Sequence, residues 1–313
     1  MTSQDQRQPA DPTAAALQDD IEALLGRCHR LGSDPRNTNF AGGNASVKAS
    51  ATDPVNGKAV ELLWVKGSGG DLGTLTQSGL AALRLDRLHD LSRMYESPDQ
   101  DDDMVAALDF CLHGKGGAAP SIDTAMHGLV DARHVDHLHP EAGIALATSA
   151  DGEALTKECF GGKVGWVPWR RPGFGLGFDI AEAARNDPEL IGVVLGGHGI
   201  TAWGATSEEC EARSLQIIRG AEQFIAERGR PDPFGPVMPQ NQALPETERH
   251  ARAAALFPLL RGLCSTDKRQ VGHYSDSDVV LDFVSRERHP QLAARGSSCP
   301  DHFLRTRVRP MVV

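Results

Sequence analysis

Two short apolar runs empty straight into glycine. Val60-Glu61-Leu62-Leu63-Trp64-Val65 is followed by Lys66-Gly67-Ser68-Gly69-Gly70, and Ile191-Gly192-Val193-Val194-Leu195 by Gly196-Gly197-His198-Gly199. Runs of this length bounded by turn residues read as buried strands. Helical patterns lie between them, so the chain mixes strands with helices. Its 313 residues are too many for a minidomain and few for more than two domains, and 40% hydrophobic residues suffice for a sizeable core.

Residues 1–18 are polar and rich in alanine and proline, which predicts a disordered N-terminus. Asp19 to Arg30 carries Ile21, Leu24 and Leu25 at helical spacing. A glycine turn at Gly42-Gly43 leads into an alternating strand through Val47. Helical patterns are expected near 76–95 and 101–113, and again from Pro120-Ser121 through Leu129. Val135 to Leu146 alternates like a strand broken by Pro140, a Gly/Pro/Trp-rich loop covers 161–177, and a helix starts at Asp179. Ser207 to Arg228 reads as a long helix with Ser207 as its N-cap and Glu208-Glu209 in its first turn. The proline-rich stretch from Arg230 to Pro245 marks a boundary. It divides a domain over 19–230 from a linker and helical extension over 231–313, with helices at 246–264 and 278–288 and a basic stretch from Arg305 to Arg309.

A net charge of −10 argues against nucleic-acid and anionic-membrane partners, although a local pocket can still take an anionic small molecule. No apolar run approaches the roughly 20 residues a membrane helix needs, and the N-terminus lacks the apolar centre of a signal peptide. The six cysteines are scattered without a CxxC pair, which points to reduced thiols and a cytoplasmic location.

The sharpest local signal is His134-Val135-Asp136-His137-Leu138-His139-Pro140. Strand residues two apart share a face, so His137 and His139 can grip one metal while His134 points away. Two histidines on a solvent-facing strand would give the same pattern. His198 lies 59 residues beyond His139, between glycines at a strand end where backbone can approach a site closely. Three neutral imidazoles leave an open coordination position, as catalytic zinc requires. Asp123 precedes His137 by 14 residues at a helix start. It can ligate the metal or move protons beside it, and an ordinary first-turn acid would occupy the same place. Asn44, Ser68, Gly69 and Ser121, with Lys66, supply the amide, hydroxyl, backbone N–H and ammonium donors of an anion cradle. Each is also a common turn or surface residue.

These pieces occur in an order that resembles the class II aldolase/adducin family, from about Ile21 to Gly229. The matching segments are Gly43-Asn44-Ala45-Ser46, Lys66-Gly67-Ser68-Gly69, Pro120-Ser121-Ile122-Asp123, His137-Leu138-His139-Pro140 and His198 through Gly204. Trp64 to Leu72, Pro120 to Thr124 and Cys299-Pro300-Asp301-His302-Phe303-Leu304-Arg305-Thr306 resemble a subfamily in which a rhamnulose-1-phosphate aldolase domain precedes a short-chain dehydrogenase domain. The resemblance covers the aldolase half of that subfamily, and a truncated chain and a stand-alone relative are both expected to look like this.

The resemblance implies an α/β fold, a three-layer α/β/α domain with a largely antiparallel central sheet. It implies zinc on His137, His139 and His198, and substrate phosphate at Asn44, Ser68, Gly69 and Ser121. Asp123 stands at the family's catalytic glutamate position, one methylene shorter, as in the sugar-phosphate 4-epimerases of the superfamily. Ile122 replaces a second serine, a loss that Lys66 can offset, and the tyrosine proton donor of the founding enzyme has no match. The activity implied is zinc-dependent cleavage of a ketose 1-phosphate, L-rhamnulose 1-phosphate for the nearest subfamily, to dihydroxyacetone phosphate and lactaldehyde. A homo-oligomer, commonly a tetramer in this family, is expected. The competing expectations are a 4-epimerase using the same retro-aldol step, a non-catalytic adducin-like scaffold, and a generic zinc hydrolase.

Overall fold

The structure is a computed structural model that describes residues 12–114, 117–301 and 307–312. It divides into two compact units, one of Met1–Arg228 with Ser298–Leu304, the other of Gly229–Ser297 with Arg305–Val313. The separation falls at Arg228, where the long helix gives way to the proline-rich stretch. The segment Ser298–Leu304 nevertheless belongs to the first unit, so 231–313 is not one uninterrupted extension.

In the first unit the elements follow as α1 (Pro12–Gly32), β1 (Asn44–Thr52), β2 (Ala59–Lys66), β3 (Leu80–Arg84), α2 (Leu85–Ser92), α3 (Asp101–Ala107), α4 (Thr124–Leu129), β4 (His134–Leu138), α5 (Glu141–Ala147), α6 (Gly152–Phe160), β5 (Val164–Val167), α7 (Phe174–Asn186), β6 (Gly192–Leu195), β7 (Gly199–Gly204) and α8 (Ser207–Arg228). The seven strands form one sheet in the order β3-β2-β1-β4-β7-β6-β5. Only β5 and β6 run parallel; all other neighbours are antiparallel.

Strand periodicity splits the core into two layers. Ala45, Val47, Leu138, Ile200 and Ala202 pack with Ile21, Leu24, Leu31 and Ile217 on the side of α1 and α8. Val135, Val193, Leu195 and Trp203 pack with Met126, Leu176 and Ile180 on the side of α4 and α7. On that same side, Leu63, Val65, Ala81 and Leu83 meet Leu88, Met104, Leu108 and Phe174. The result is helix, sheet, helix, with β4 at the centre.

Several local expectations are corrected. Helix α1 begins at Pro12, so residues 12–18 are helical rather than disordered; residues 1–11 lie outside the described residues. The helix expected over 76–95 contains β3: Leu80-Ala81-Ala82-Leu83-Arg84 has helix-favouring composition, but pairing with β2 overrides it. Beyond Pro140 the expected strand is instead α5, because the proline closes the β4 ladder and frees Glu141 to open a helix. The loop expected over 161–177 holds β5 and the first turn of α7.

At the start of α8 the cap is Thr206, whose Oγ1 accepts from the Glu209 N–H at 3.2 Å, while Glu209 Oε2 accepts from the Ala205 N–H at 2.6 Å. Ser207, expected as the cap, turns inward to accept from Arg27 at 2.7 Å.

The second unit holds α9 (Glu246–Cys264), α10 (Asp278–Ser285) and α11 (His289–Arg295). Arg286 ties it together by bonding Asp282 and Asp232. Of the basic C-terminal stretch, Arg305 and Thr306 lie outside the described residues. Among the described residues no helix is long and apolar enough to cross a membrane, and no disulfide links the six cysteines.

Candidate metal centre

Strand β4 sets the site. His137 is paired across the sheet with Asn44 of β1 on one side and Thr201 of β7 on the other. That register fixes its height and sends its ring to the α4 side, together with Val135. His139 follows the last ladder pair, Leu138 with Ile200. His198 is the third residue of the tight connection Gly196-Gly197-His198 between β6 and β7, closed by the Leu195 and Gly199 pair. Gly197 has φ +66°, the left-handed position such a hairpin loop demands. A side chain there would also strike the Trp169 ring, since a Cβ would sit 2.8 Å from its Cδ1.

The three imidazoles converge. Their ring centroids are 4.7 Å (137 to 139), 4.7 Å (137 to 198) and 4.9 Å (139 to 198) apart, and one nitrogen of each lies within 4.8 Å of the others. Protons can be placed from the partners. His137 Nδ1 is 2.9 Å from the Ile200 carbonyl oxygen, which only accepts, so Nδ1 carries the hydrogen. His139 Nδ1 is 2.6 Å from Asp301 Oδ2, a carboxylate, so it too carries the hydrogen. In the neutral rings the two Nε2 atoms then face each other as lone pairs 2.9 Å apart. His198 adds a buried Nδ1 with no hydrogen-bond partner. Unshielded lone pairs crowded in a buried site repel one another, and a cation resolves the conflict. Burial, then the neighbouring histidines, holds His137 well below the ordinary imidazole range. Burial, then His139, takes His198 down to about 3. Both are neutral donors at physiological pH, as a metal requires. The three histidines can hold a metal ion.

Around this cluster stand most of the other residues singled out in the sequence. Asp123 immediately precedes α4 but makes no capping hydrogen bond, and its Oδ1 is buried without a partner. An ordinary helix-start acid would cap the helix; this one does not. Burial pushes the Asp123 carboxyl above its usual range, against the opposing pull of His139 and Lys66. Asn44 donates from Nδ2 to Ser121 Oγ at 3.3 Å, and its own Oδ1 is buried and unpartnered. Lys66 is buried at the end of β2. Ser68 and Gly69 are exposed on the turn that follows, and the Ser68 N–H donates to the Ala119 carbonyl at 3.0 Å, two residues before Ser121. Gly69, at φ +90° with open space where a Cβ would be, leaves its backbone approachable. Asn44, Lys66, Ser121 and Asp123 thus gather near the histidines, with Ser68 and Gly69 on an adjoining turn. Asp301 was missed. It arrives from the far end of the sequence, and its one signal was membership of the Cys299-Pro300-Asp301 motif.

Residues 22–225 match the family described as Class II Aldolase and Adducin N-terminal domain. The chain belongs to this family. Residues 251–313 match a further description, Aldolase class II, second domain. A curated relative, the uncharacterized oxidoreductase YuxG of Bacillus subtilis (strain 168), is 36% identical over 301 residues, which is 96% of this chain and 43% of that protein. The chain therefore spans less than half the length of that relative. Among solved structures, the N-terminal class II aldolase domain of a conserved protein from Thermoplasma acidophilum is 27% identical with a TM-score of 0.60. The match covers 72% of this chain and all of that one. A sugar-phosphate aldolase from Thermotoga maritima, 15% identical with a TM-score of 0.50, shares the fold over 69% of this chain and 98% of its own. The three-layer architecture with its mostly antiparallel sheet is thus the class II aldolase fold, and the histidine cluster sits within the matched span.

Proposed function

We propose that the chain is a metal-dependent class II aldolase that cleaves a ketose 1-phosphate to dihydroxyacetone phosphate and an aldehyde. The nearest subfamily resemblance makes L-rhamnulose 1-phosphate the substrate and lactaldehyde the second product. The observation that carries this reading is the convergence of three buried imidazoles, one nitrogen of each within 4.8 Å of the others, beside an acid that caps nothing. We assign the metal to His137, His139 and His198, and zinc suits three neutral nitrogens with a position left for substrate.

Bound there, the cation would supply Lewis-acid stabilisation of negative charge developing on substrate oxygens as the C3–C4 bond breaks. The residues of the chain do the rest. Asn44, Lys66 and Ser121, with Ser68 and Gly69 on the adjoining turn, hold the phosphate and fix the ketose in one orientation. This grip uses binding energy remote from the bond that breaks. Asp123, its carboxyl pushed up by burial, exchanges the proton at the donor carbon. The buried position of Asp123 Oδ1 keeps bulk water from competing for that proton. A homo-oligomer, commonly tetrameric in the family, and a cytoplasmic location complete the reading; cysteines without disulfides are consistent with the latter.

The test couples elemental analysis of the purified chain to a retro-aldol assay over several ketose 1-phosphates. The expected result is one zinc per chain and release of free dihydroxyacetone phosphate. Turnover undiminished after complete removal of divalent metal would overturn the proposal. Conversion to an epimer without free triose phosphate would transfer the same residues to 4-epimerisation.

A further inference from the structure

The Nδ1 atoms of the three histidines are treated in three different ways. His137 is held by the sheet itself, through the carbonyl of Ile200 on the neighbouring strand. His198 Nδ1 has no anchor. His139 lies beyond the last pair of the β4 ladder, and its Nδ1 is bonded by a side chain 162 residues away, with no strand carbonyl as its partner.

That side chain is Asp301, and its surroundings are built around one oxygen. Oδ2 accepts from His139 Nδ1 at 2.6 Å, from Asn39 Nδ2 at 3.1 Å and from Cys299 Sγ at 3.7 Å. Asn39 Nδ2 also lies 3.4 Å from the Cys299 sulfur, which closes a small network. Asp301 is 6% exposed and His139 4%, so the contact is shielded from water. Gly42 leaves the room for it. A Cβ at Gly42 would fall 2.6 Å from Asp301 Oδ2, and Gly42 is not among the residues with positive φ, so space and not backbone freedom is what glycine provides there.

We infer that Asp301 is a positioning residue for the metal site: by accepting the Nδ1 hydrogen of His139 it fixes the tautomer and ring orientation that turn His139 Nε2 toward His137 and His198. The inference rests on the metal reading above. A carboxylate behind a metal-bound imidazole sets the ring and raises its basicity, and loss of such a partner typically weakens metal binding by about 10- to 100-fold. It also makes the ligand set depend on a segment outside the matched span 22–225. The site is completed by Ser298–Asp301, which folds with the first unit although it follows the helical second unit in sequence.

The experiment uses the full chain stripped of metal by a chelator. Zinc affinity is measured by competition with a chromophoric chelator, cobalt(II) substitution is read from visible absorption, and the histidine tautomers of the metal-free chain are read by ¹⁵N-edited NMR. Asp301→Ala is expected to weaken zinc binding by about 10- to 100-fold, shift the cobalt bands and release His139 from its Nδ1–H tautomer. Asp301→Asn, whose amide oxygen still accepts, should fall between wild type and alanine. Gly42→Ala should reproduce part of the loss with the carboxylate still present, and these two variants carry the test where Asp301→Ala fails to fold. Wild-type affinity and an unchanged His139 tautomer in folded Asp301 variants would overturn the inference, as would a lowered melting temperature alone, which would make Asp301 only a clasp for the C-terminal segment. If the wild-type chain takes up no metal, the metal reading fails instead, and the tautomer measurement still judges whether Asp301 orients the ring.

Discussion

Adjacent residues of β4 serve opposite sides of the sheet, and the two sides are finished differently. Asp136 faces α1 and α8. It accepts from Arg27 Nε at 2.9 Å and from Ser214 Oγ at 3.0 Å, while Arg27 also donates to Ser207 Oγ at 2.7 Å and to the Ser46 carbonyl at 2.9 Å and meets His134 Nδ1 at 3.1 Å. Arg27 and Asp136 are both fully buried, and each nitrogen of the guanidinium has a partner within the chain. His137, one residue on, faces α4 among groups left over: its own lone pair, the bare Nδ1 of His198, and the Oδ1 atoms of Asp123 and Asn44. A buried polar network with every partner supplied from within the chain serves the fold. One that leaves several atoms unmet at a single place is shaped for something brought from outside.

Damage to the two sides therefore reads out differently, as lost metal and turnover on one and as lost stability on the other. The largest effect belongs to the unsatisfied side. His198→Ala should abolish stoichiometric metal and lower retro-aldol turnover by about 10³-fold or more, since Lewis-acid stabilisation is worth several kcal/mol. The folded state should survive, because no hydrogen bond to Nδ1 is lost; circular dichroism alongside the assay checks this. Next comes the satisfied side. Arg27→Ala strands the Asp136 carboxylate and should cost about 3–5 kcal/mol in urea unfolding, with the remaining folded chain still able to take up metal. A variant that unfolds no more easily than wild type would erase the distinction.

Acid reaches buried groups on both sides, His127 in α4 and His134 beside Arg27. Burial takes His127 down to about 3 and, more weakly, His134 to about 4; neither belongs to the three-histidine cluster. As pH falls below the unfolded value near 6.5, the unfolded chain gains protons that the folded chain refuses. Stability therefore declines with acid and stops declining below the folded values. His127 alone should contribute a slope of about 1.4 kcal/mol per pH unit between pH 6 and 4. Denaturant titrations at successive pH values, compared with His127→Gln, measure it; an unchanged slope in the variant would assign the loss elsewhere. The smallest effect tests the cap: Thr206→Ala should cost about 1 kcal/mol of stability and leave metal content untouched.

The sequence announced the histidine cluster because two of its members lie at i and i+2 on a strand and the third sits between glycines at a strand end, patterns local enough to read directly. The same strand held Asp136, yet its partner Arg27 lies 109 residues away on a helix, and nothing local marks one arginine as buried. Asp301 was hidden for the same reason. Leu80–Arg84 and Glu141–Ala147 were misjudged where sheet pairing and a proline-ended ladder outweighed local preference. Ser207 looked like a cap because hydroxyls favour helix starts, but Thr206 satisfies the N–H and leaves the serine for Arg27.

The neighbourhood of Arg27 has a consequence for how the chain reaches its native pairing. Sliding β4 by a single residue would swing His137 among the apolar side chains of α1 and send Asp136 to the α4 side, where Asp123 already stands, stranding a guanidinium in hydrocarbon. Misaligned intermediates should therefore be costly enough to be discarded during assembly, so that the ion pair proofreads the alignment on which catalysis depends.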